Sequence, residues 1–405
     1  MKSNYQGVKG TQDFFGENID KFNYVVDAAK NVAKFYNFKE IKTPLIEFSN
    51  LFERSVGDGS DIVLKELYKF EDKGGEVIAL RPEFTAGVVR ALAENGDLNQ
   101  NLPQKLFSYG DVFRYDRPQK GRYREFNQLN FEIYGNDDYM ADVETISVLN
   151  DILQNLGLKN ITLEINSLGS NKCKIKYENA LREYFTPLKD KLSEDSKKRL
   201  DKNPLRILDS KEDCDKELLK NAPKINEFYT DEERTFYANV LKSIGELGIK
   251  YYDNPGLVRG LDYYTSIVFE FTTTDLGAQS AVGGGGRYDN LVEQIGNIPI
   301  SAVGFGSGIE RLMLLLDKKM EKKDELIAVI PISENENSYT LKLVKELQAK
   351  GKSIEYIYSG KFKKKMDKMN KCGADFAIVV GEDEVKTGKL KIKDLKSGEE
   401  KEFVL

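Results

Sequence analysis

Residues 113–132, F-R-Y-D-R-P-Q-K-G-R-Y-R-E-F-N-Q-L-N-F-E, decide the fold because they are typical of a strand, a loop and a second strand. The preceding segment, residues 105–113, is aromatic-rich and strand-like. Downstream the side chains alternate with a period of two, so one face lies in a core and the other meets solvent or a polar ligand. The apolar face holds Leu129, Phe131 and Ile133, and the polar face holds Gln128, Asn130 and Glu132.

The connecting loop is basic. It carries Arg117, Lys120, Arg122 and Arg124, and Arg114 closes the first strand. A guanidinium group suits phosphate, because its planar fork meets two oxygens at once. A solvated basic hairpin tip would have the same composition, so these residues alone leave both interpretations open.

Length and composition set the class of protein. A chain of 405 residues, 40% hydrophobic and 31% charged, has room for roughly two to three domains with real cores. The net charge of −5 gives no overall basic signature, so any contact with RNA must use local patches. No run of residues is long and apolar enough to span a bilayer, and the N-terminus shows no signal-peptide pattern, so we expect no membrane partner.

The chain contains no histidine, which excludes Ser-His-Asp and Cys-His catalysis and an imidazole general base. Acid–base chemistry then falls to carboxylates, lysine, tyrosine or the substrate. The three cysteines, Cys173, Cys214 and Cys372, are scattered without a C-x-x-C pair. This spacing indicates a reducing cytosol, with neither a disulfide framework nor a structural zinc site.

Before the hairpin, residues 22–36 keep the period of an amphipathic helix. Residues 38–48 are strand-like but are interrupted by Pro44, which favours an edge or interface position. Residues 51–70 form a charged segment that ends in a strand pattern. In R-P-E-F-T-A, residues 81–86, the proline ends a strand and the threonine can open a helix.

After the hairpin, residues 140–156 form an apolar helical stripe, and residues 167–248 are rich in Lys and Glu with recurring helical patterns. This second region predicts a helical insertion in a β-rich core. Strand patterns return at residues 257–271, and residues 302–316 predict a strand, a glycine turn and a helix. After a charged linker at 317–325, strands and helices alternate in a small α/β domain.

Three arginines share a glycine-flanked setting near the ends of predicted elements. Arg114 ends a strand, Arg259 starts a strand after Pro255-Gly256, and Arg311 opens a helix. Such a set can hold a triphosphate without a P-loop, and each charge-assisted contact contributes about 1.5–3 kcal/mol. The helix N-terminus would add its dipole. Taken alone, Arg311 is better explained by a salt bridge with a neighbouring acid on a helix surface.

Together, these motifs resemble those of class II aminoacyl-tRNA synthetases, and specifically the histidyl-tRNA synthetase family, over essentially the whole chain. The hairpin resembles the second class-defining motif, G-F-G-S-G-I-E-R-L the third, and the region around Pro44 the first. The family-specific signatures are more telling. They are L-V-R-G-L-D-Y-Y at 257–264 and G-G-G-R-Y-D at 284–289, with R-P-E-F-T-A and the N-terminal K-G-T-Q-D also matching.

The resemblance implies an α+β fold, in which helices flank the antiparallel β-sheet of a class II catalytic core. A helical insertion would clasp the acceptor stem of the tRNA, and a C-terminal α/β domain would bind its anticodon. The expected boundaries are 1–166 and 249–320 for the two parts of the core, 167–248 for the insertion and 325–405 for the anticodon-binding domain.

The implied reaction is ATP-dependent ligation of L-histidine to the 3′ end of tRNA(His) through a histidyl-adenylate, with release of AMP and pyrophosphate. ATP would enter as its Mg²⁺ complex, and no tightly bound metal site is expected in the protein. The first motif implies a homodimer, and the family implies a cytoplasmic enzyme.

The resemblance also implies roles for single residues. The catalytic pair would be Arg114, at the α-phosphate and the substrate carboxylate, and Arg259, which promotes adenylate formation where related enzymes use a metal ion. Arg311 would hold the γ-phosphate. Asp116, near the adenine, and Arg122 would complete the ATP site, and Gln119 would reach the acceptor end of the tRNA.

Histidine would be bound by eight residues. The α-amino group is assigned to Glu83, Thr85 and Gln128, and the imidazole to Glu132 and Tyr264 with Tyr263 beside them. Phe84 and Tyr288 complete the set, and the glycines at 283–286 line the pocket.

Three positions depart from the family pattern. Asp116 stands where Glu is more frequent, Asn127 where His or Tyr is usual, and Asn130 where Gly is common. The alternative function is that of the non-catalytic, histidine-binding regulatory paralogues of histidine biosynthesis. Those relatives lack the C-terminal domain and the signature arginines, whereas this chain has both, with six lysines in residues 361–371.

Overall fold

The computed structural model describes residues 5–56, 65–277, 280–316 and 325–403. The chain divides into two compact units, Met1–Lys318 and Lys319–Leu405. The predicted charged linker at 317–325, apart from Glu325, lies outside the described residues.

The first unit is built on an eight-stranded sheet and a smaller three-stranded one. Its described strands are β1 (Lys39–Glu40), β2 (Ile46–Phe48), β3 (Lys69–Glu71), β4 (Val77–Leu80), β5 (Gln104–Phe113), β6 (Glu125–Tyr134), β7 (Ile161–Ser167), β8 (Tyr251–Asp253), β9 (Thr265–Thr273), β10 (Ala281–Arg287) and β11 (Ala302–Gly308). The large sheet has the order β1-β5-β6-β11-β10-β9-β7-β8, and the small one β2-β4-β3. The pairing is antiparallel except between β1 and β5 and between β7 and β8.

Helices surround these sheets. They are α1 (Glu17–Phe35), α2 (Ser49–Val56), α3 (Thr85–Glu94), α4 (Tyr139–Asn155), α5 (Asn171–Phe185), α6 (Glu194–Lys202), α7 (Asp213–Leu219), α8 (Asp231–Glu246), α9 (Asp289–Gly296) and α10 (Ile309–Leu315). The predictions of α1, α3, α4 and α10 are confirmed. The charged segment 51–70 was read without a helix, and α2 corrects that interpretation.

The predicted hairpin is confirmed as β5 and β6, which pair from Gln104 with Tyr134 to Phe113 with Glu125. Its apolar face is a core: Phe131 is fully buried and its ring lies 5.1 Å from that of Phe305. The polar face is also buried at its inner end. Solvent is therefore not what this face meets, and it borders an internal polar site.

Two strand predictions need correction. Residues 38–48 form two short strands in different sheets, because Pro44 lacks the N–H that a continuous ladder requires. Residues 257–264 form a loop, since β9 begins only at Thr265. Arg259 therefore lies in a loop and not at a strand start.

The helices α5–α8 occupy the predicted insertion. Their apolar side chains share one hydrophobic core with the large sheet: Leu181 and Phe185 of α5 belong to the same buried cluster as Tyr134 of β6 and Val268 of β9. Because this core is continuous, the boundaries at 167 and 248 stay a prediction.

The second unit alternates strands and helices. They are β12 (Leu326–Pro331), α11 (Asn337–Ala349), β13 (Ser353–Tyr356), α12 (Phe362–Lys371), β14 (Phe376–Val380), α13 (Glu382–Thr387), β15 (Leu390–Asp394) and β16 (Glu400–Phe403). The sheet order is β13-β12-β14-β15-β16. Side chains of β12 point alternately into two cores, because Ile327 and Val329 pack with α11 and Ile330 with Met369 of α12.

The basic helix α12 differs from its prediction in one lysine. Lys365 is 2% exposed, and its Nζ donates to the backbone oxygen of Pro331 at 2.9 Å. The other five lysines of residues 361–371 are exposed. Five positive charges, not six, are thus available to a polyanion.

All three cysteines lie among the described residues and are unpaired. Within the described parts of the chain, no helix combines the length and apolar character needed to cross a membrane.

Candidate active site

Two adjoining cavities open on the polar face of the large sheet. We call them the large cavity, of about 430 Å³, and the small pocket, of about 140 Å³. Six residues line both and so join them into one cleft. They are Arg114, Gln128, Arg259, Gly260, Gly284 and Gly306.

Arg114 and Arg259 lie where the two cavities meet. Arg114 Nε donates to the backbone oxygen of Pro82 at 2.9 Å, and its guanidinium lies 5.4 Å from the ring centre of Phe126. Arg259 forms an ion pair with Glu270, and its buried Nε has no partner among the described residues. These contacts hold both guanidinium groups at the junction of the large cavity and the small pocket.

Arg311 lies in the large cavity. Its Nε donates to the backbone oxygen of Gly121 at 3.0 Å and its Nη1 to that of Ala281 at 2.8 Å. Burial lowers the pKa of Arg311, and the nearby positive charges of Arg122 and Arg114 lower it further. An arginine remains charged under such conditions. The predicted convergence of arginines is therefore present, and an anion would relieve their mutual repulsion.

The basic loop between β5 and β6 contributes further groups to the large cavity. Asp116 and Arg122 both line it and form an ion pair, and Arg122 lies 3.5 Å from Glu66. The backbones of Gln119 and Arg122 exchange hydrogen bonds of 3.0 and 2.9 Å, which closes a tight turn. Gln119 lines neither cavity, since it sits at the tip of this turn.

One acid and three tyrosine rings contribute to the wall of the small pocket. Besides the shared residues, its lining includes Glu83, Thr85, Asn130, Tyr263, Tyr264 and Tyr288. The ring centres of Tyr263 and Tyr264 are 4.7 Å apart, and those of Tyr263 and Tyr288 are 5.6 Å apart. Glu83 accepts hydrogen bonds from the backbone N–H groups of Thr85, at 2.6 Å, and Ala86, at 2.9 Å. Burial nevertheless raises the pKa of Glu83.

Glu132 lies behind the wall of the small pocket. Its carboxylate accepts hydrogen bonds from the hydroxyls of Tyr134, at 2.8 Å, and Tyr288, at 2.9 Å. Burial raises its pKa to about 7. A Cβ on Gly304, which lines the pocket, would lie 2.8 Å from Glu132 Cγ. The glycine therefore leaves this acid with no side chain between it and the pocket.

A second glycine makes room for Gln128 in the same way. A Cβ on Gly306 would lie 2.6 Å from Gln128 Nε2. Phe84, in contrast, lines neither cavity. It is 1% exposed, and the guanidinium of Arg81 lies 4.1 Å from its ring centre. Six of the eight predicted histidine-binding residues thus line the small pocket, whereas Glu132 lies behind its wall and Phe84 packs beneath it.

Sequence reasoning missed several groups at the site. Glu270 holds Arg259, and Glu310 accepts hydrogen bonds from the backbone N–H of Asn127 at 2.8 Å and from its amide nitrogen at 3.1 Å. Asn127 thus binds the residue just before Arg311, which gives the departure at this position a local role. The order I-E-R-L offered a signal for Glu310, whereas nothing in the sequence links Glu270 to Arg259.

Asn130 was placed on the polar face of its strand and noted as a departure from the family pattern, but it was given no role at the site. It is 4% exposed, lines the small pocket, and its amide nitrogen has no hydrogen-bond partner among the described residues. In the parts of the chain that the structure describes, no three or more Cys, Asp or Glu side chains are grouped so that they could hold a metal ion.

Comparisons with protein families agree with this geometry. Residues 10–312 match the family model described as histidyl-tRNA synthetase, and residues 326–404 match that of an anticodon binding domain. The first match lies within the first compact unit, and the second match lies within the second unit.

Individual proteins are similar over nearly the full length. The chain is 47% identical over 397 residues to the histidine–tRNA ligase of Wolbachia pipientis subsp. Culex pipiens (strain wPip), covering 98% of this chain and 97% of the relative. It is 45% identical over 402 residues to that of Rickettsia bellii (strain RML369-C), covering 99% and 96%.

Among solved structures, apo S. aureus histidyl-tRNA synthetase superposes with a TM-score of 0.82 at 33% identity, covering 98% of this chain and 97% of that one. The predicted α+β fold class is confirmed by this similarity.

Proposed function

Because the chain belongs to the histidyl-tRNA synthetase family, it is a histidine–tRNA ligase, and we propose that the cleft formed by the large cavity and the small pocket carries both steps of its reaction. One observation carries the proposal: Arg114 and Arg259 line both cavities. A group at that junction can touch the amino acid and the nucleotide at the same time.

In the first step, a carboxylate oxygen of histidine attacks the α-phosphorus of ATP. The bond from that phosphorus to the bridging oxygen of the β-phosphate breaks, and pyrophosphate leaves. The attacking carboxylate is already ionised at neutral pH, so no general base is needed. Arg114 and Arg259 would neutralise the charge that builds up on the α-phosphate, and positioning with charge stabilisation is sufficient for such a step.

The remainder of the nucleotide would lie in the large cavity. Arg311 would meet the γ-phosphate, with Arg122 near the phosphates and Asp116 near the adenine. These residues line the cavity, and the helix α10 begins just before Arg311. Mg²⁺ would arrive with ATP as part of the substrate.

Histidine would occupy the small pocket. Glu132 and Tyr264 would meet the imidazole, with Tyr263 and Tyr288 around it, because a carboxylate accepts from a ring N–H and a phenol can serve the other nitrogen. Glu83, Thr85 and Gln128 would bind the α-amino group. Phe84, which packs beneath, would act by supporting Glu83 and Thr85.

In the second step, the hydroxyl of the 3′-terminal ribose of the tRNA attacks the carbonyl carbon of the adenylate, and AMP leaves. A phosphate oxygen of the adenylate would take the hydroxyl proton. Gln119, at the tip of the basic loop, would contact the acceptor end. We assign residues 167–248 to acceptor-stem binding and residues 325–405 to the anticodon of tRNA(His), where the five exposed lysines of residues 361–371 suit RNA.

We further propose a homodimer that works in the cytoplasm. The three-stranded sheet exposes large apolar side chains: Ile46 is 48% exposed, Phe48 56%, Phe70 47% and Val77 47%. An apolar surface of this kind is typical of an interface. Analytical ultracentrifugation of the protein and of Phe48→Lys tests it, since the variant should shift the mass toward the monomer.

The function is tested by ATP–pyrophosphate exchange and tRNA charging with a panel of amino acids. We expect exchange with histidine alone and transfer of histidine to tRNA(His). Histidine binding without exchange would favour the regulatory alternative. The presence of all three arginines around one cavity argues against that alternative.

A further inference from the structure

The loop at residues 257–264 carries Arg259, Tyr263 and Tyr264, all of which line the cleft. It lies outside the strands, as β9 begins at Thr265. Because this loop is not paired as a strand in a sheet, it needs other contacts to hold it in place. Some come from the sheet, since Asn166 of β7 donates to the backbone oxygen of Leu257 and Glu270 of β9 pairs with Arg259. Others come from helix α5 and from the residues just after helix α6, that is, from the predicted insertion.

Two side chains of the insertion bind the middle of the loop. Arg206 Nη2 donates to the backbone oxygen of Gly260 at 2.5 Å and lies 3.4 Å from Asp262 Oδ1. Asn203 Nδ2 donates to the same Asp262 oxygen at 3.0 Å. The Asn203 oxygen accepts from the N–H of Leu205 at 3.2 Å, so the amide also fixes its own turn.

A third side chain binds the other end. Lys174 Nζ donates to the backbone oxygens of Asp262, at 3.0 Å, and Tyr264, at 3.3 Å. Burial lowers the pKa of Lys174, as expected for an ammonium group enclosed between the helix and the loop. The side chains of Arg206 and Asp262 are 19% and 24% exposed, so these bonds are only partly open to water.

We propose that Lys174, Asn203 and Arg206 form a positioning clamp, through which the insertion holds Arg259 and the two tyrosines in the geometry that activates histidine. The clamp acts on the amino-acid half of the reaction and needs no tRNA. The inference rests on the proposed roles of Arg259, Tyr263 and Tyr264, and it gives the insertion a function in activation in addition to RNA binding.

The consequence for rate follows from geometry. A misplacement of about 1 Å at a reacting centre can cost about 100-fold in rate. The clamp holds the loop on both sides of Asp262. Its loss would let the loop backbone between Gly260 and Tyr264 shift, although the Arg259 guanidinium keeps its ion pair with Glu270 of β9. The defect should therefore appear in the turnover of each site and in histidine affinity.

The test is histidine-dependent ATP–pyrophosphate exchange without tRNA, using Arg206→Met and Lys174→Met, which keep the aliphatic stems. The matched control is Arg182→Met, since Arg182 lies on α5 with a 37% exposed side chain paired to Glu178. Active sites are counted by the burst of adenylate. We expect kcat per active site to fall about 10- to 100-fold in each clamp variant, with a raised KM for histidine. The control should match the wild type, and Arg206→Lys should recover part of the rate.

A purely structural role gives a different pattern. The number of active sites and the melting temperature would then fall, while kcat per site and KM stayed at the wild-type values, and this result would overturn the clamp. Arg259→Ala separates the two proposals. If Arg259→Ala loses exchange activity while the clamp variants keep it, only the clamp proposal is wrong. If Arg259→Ala keeps exchange activity, the proposed roles of the active-site residues are wrong.

Discussion

The small pocket and the large cavity meet at Arg114 and Arg259, but their characteristic charged groups are held differently. At the small pocket, Glu132 is held by side chains, the hydroxyls of Tyr134 and Tyr288. In the large cavity, Arg311 is held by the backbone, since it donates to the carbonyl oxygens of Gly121 and Ala281. The first arrangement fixes donors and acceptors for one shape, and the second concentrates charge.

The difference teaches how one cleft can serve two substrates. A buried polar pocket rejects analogues that cannot match its hydrogen bonds. A cluster of guanidinium groups holds a polyphosphate mainly through charge and bidentate contacts. Selection among amino acids should therefore belong to the small pocket, and nucleotide binding to the large cavity, with the two arginines coupling them.

The largest effect is expected at the junction. Arg259→Ala removes a charge that faces both cavities, and removal of one group that stabilises a transition state costs about 100- to 1,000-fold in rate. Exchange kinetics should show this loss in kcat, with a smaller change in either KM. The surface variant Arg182→Ala serves as the control. A loss confined to KM would mean that Arg259 binds substrate without favouring the transition state.

The next effect is expected in the small pocket alone. Glu132→Gln keeps the shape and can still bond both phenols, because hydroxyl groups rotate to accept or donate. It removes the negative charge and replaces one of the two acceptor oxygens with an NH2 donor, which weakens the interaction with the imidazole N–H, so kcat/KM for histidine should fall about 100-fold. The KM for ATP is expected to stay within about twofold. Steady-state exchange kinetics at varied histidine and then at varied ATP measure both parameters. An equal change in kcat/KM for histidine and in the KM for ATP would contradict the assignment of the two substrates to separate cavities.

The same substitution should stabilise the fold at high pH. The pKa of Glu132 is raised by burial from 4.5 to about 7, so the folded state binds this proton more tightly than the unfolded state. The ionised acid then destabilises the fold, on the order of 3 kcal/mol, and the cost grows as the pH rises from the unfolded to the folded pKa.

Thermal unfolding of the two proteins across pH checks this. Glu132→Gln should melt higher than the wild type above about pH 7, and the difference should vanish below about pH 4.5. If Glu132→Gln instead stabilises the fold most at acidic pH, the burial of Glu132 does not destabilise its ionised form.

A smaller effect is expected in the large cavity. Arg311→Met removes one of several positive charges, and one charge-assisted contact of about 1.5 kcal/mol corresponds to roughly a tenfold rise in the KM for ATP. Histidine affinity should be unchanged. Arg311→Lys retains the positive charge but not the planar guanidinium group. Its KM for ATP should therefore lie between those of the wild type and Arg311→Met. If histidine binding weakens as much as ATP binding, the large cavity is not a separate nucleotide site.

Much of this arrangement could be predicted from sequence, partly from local patterning and partly from the resemblance to the histidyl-tRNA synthetase family, which implied the roles of single residues. The period of two in β6 placed Gln128 and Glu132 on one face, and glycine-flanked positions marked Arg114 and Arg311. The loop at 257–264 was read as strand because its apolar and aromatic residues fit that pattern, although they pack into the core instead of pairing in the sheet.

Contacts between distant segments could not be predicted. The bond between Asn203 and Asp262 joins residues 59 positions apart, and that between Asn127 and Glu310 joins residues 183 apart. Neither hydrogen bond is indicated by the helix or strand periodicity of the segments that form it. The position of Phe84 could not be predicted for a related reason: it lies between two pocket residues in sequence, but its ring packs into the core where α3 begins.

Calorimetric titration of Glu132→Gln and Arg311→Met, each with histidine and with a non-hydrolysable ATP analogue, tests the division of the cleft most directly. We predict that Glu132→Gln loses affinity for histidine only and Arg311→Met for the nucleotide only. If both variants lose affinity for both ligands to the same degree, the small pocket and the large cavity do not bind different substrates.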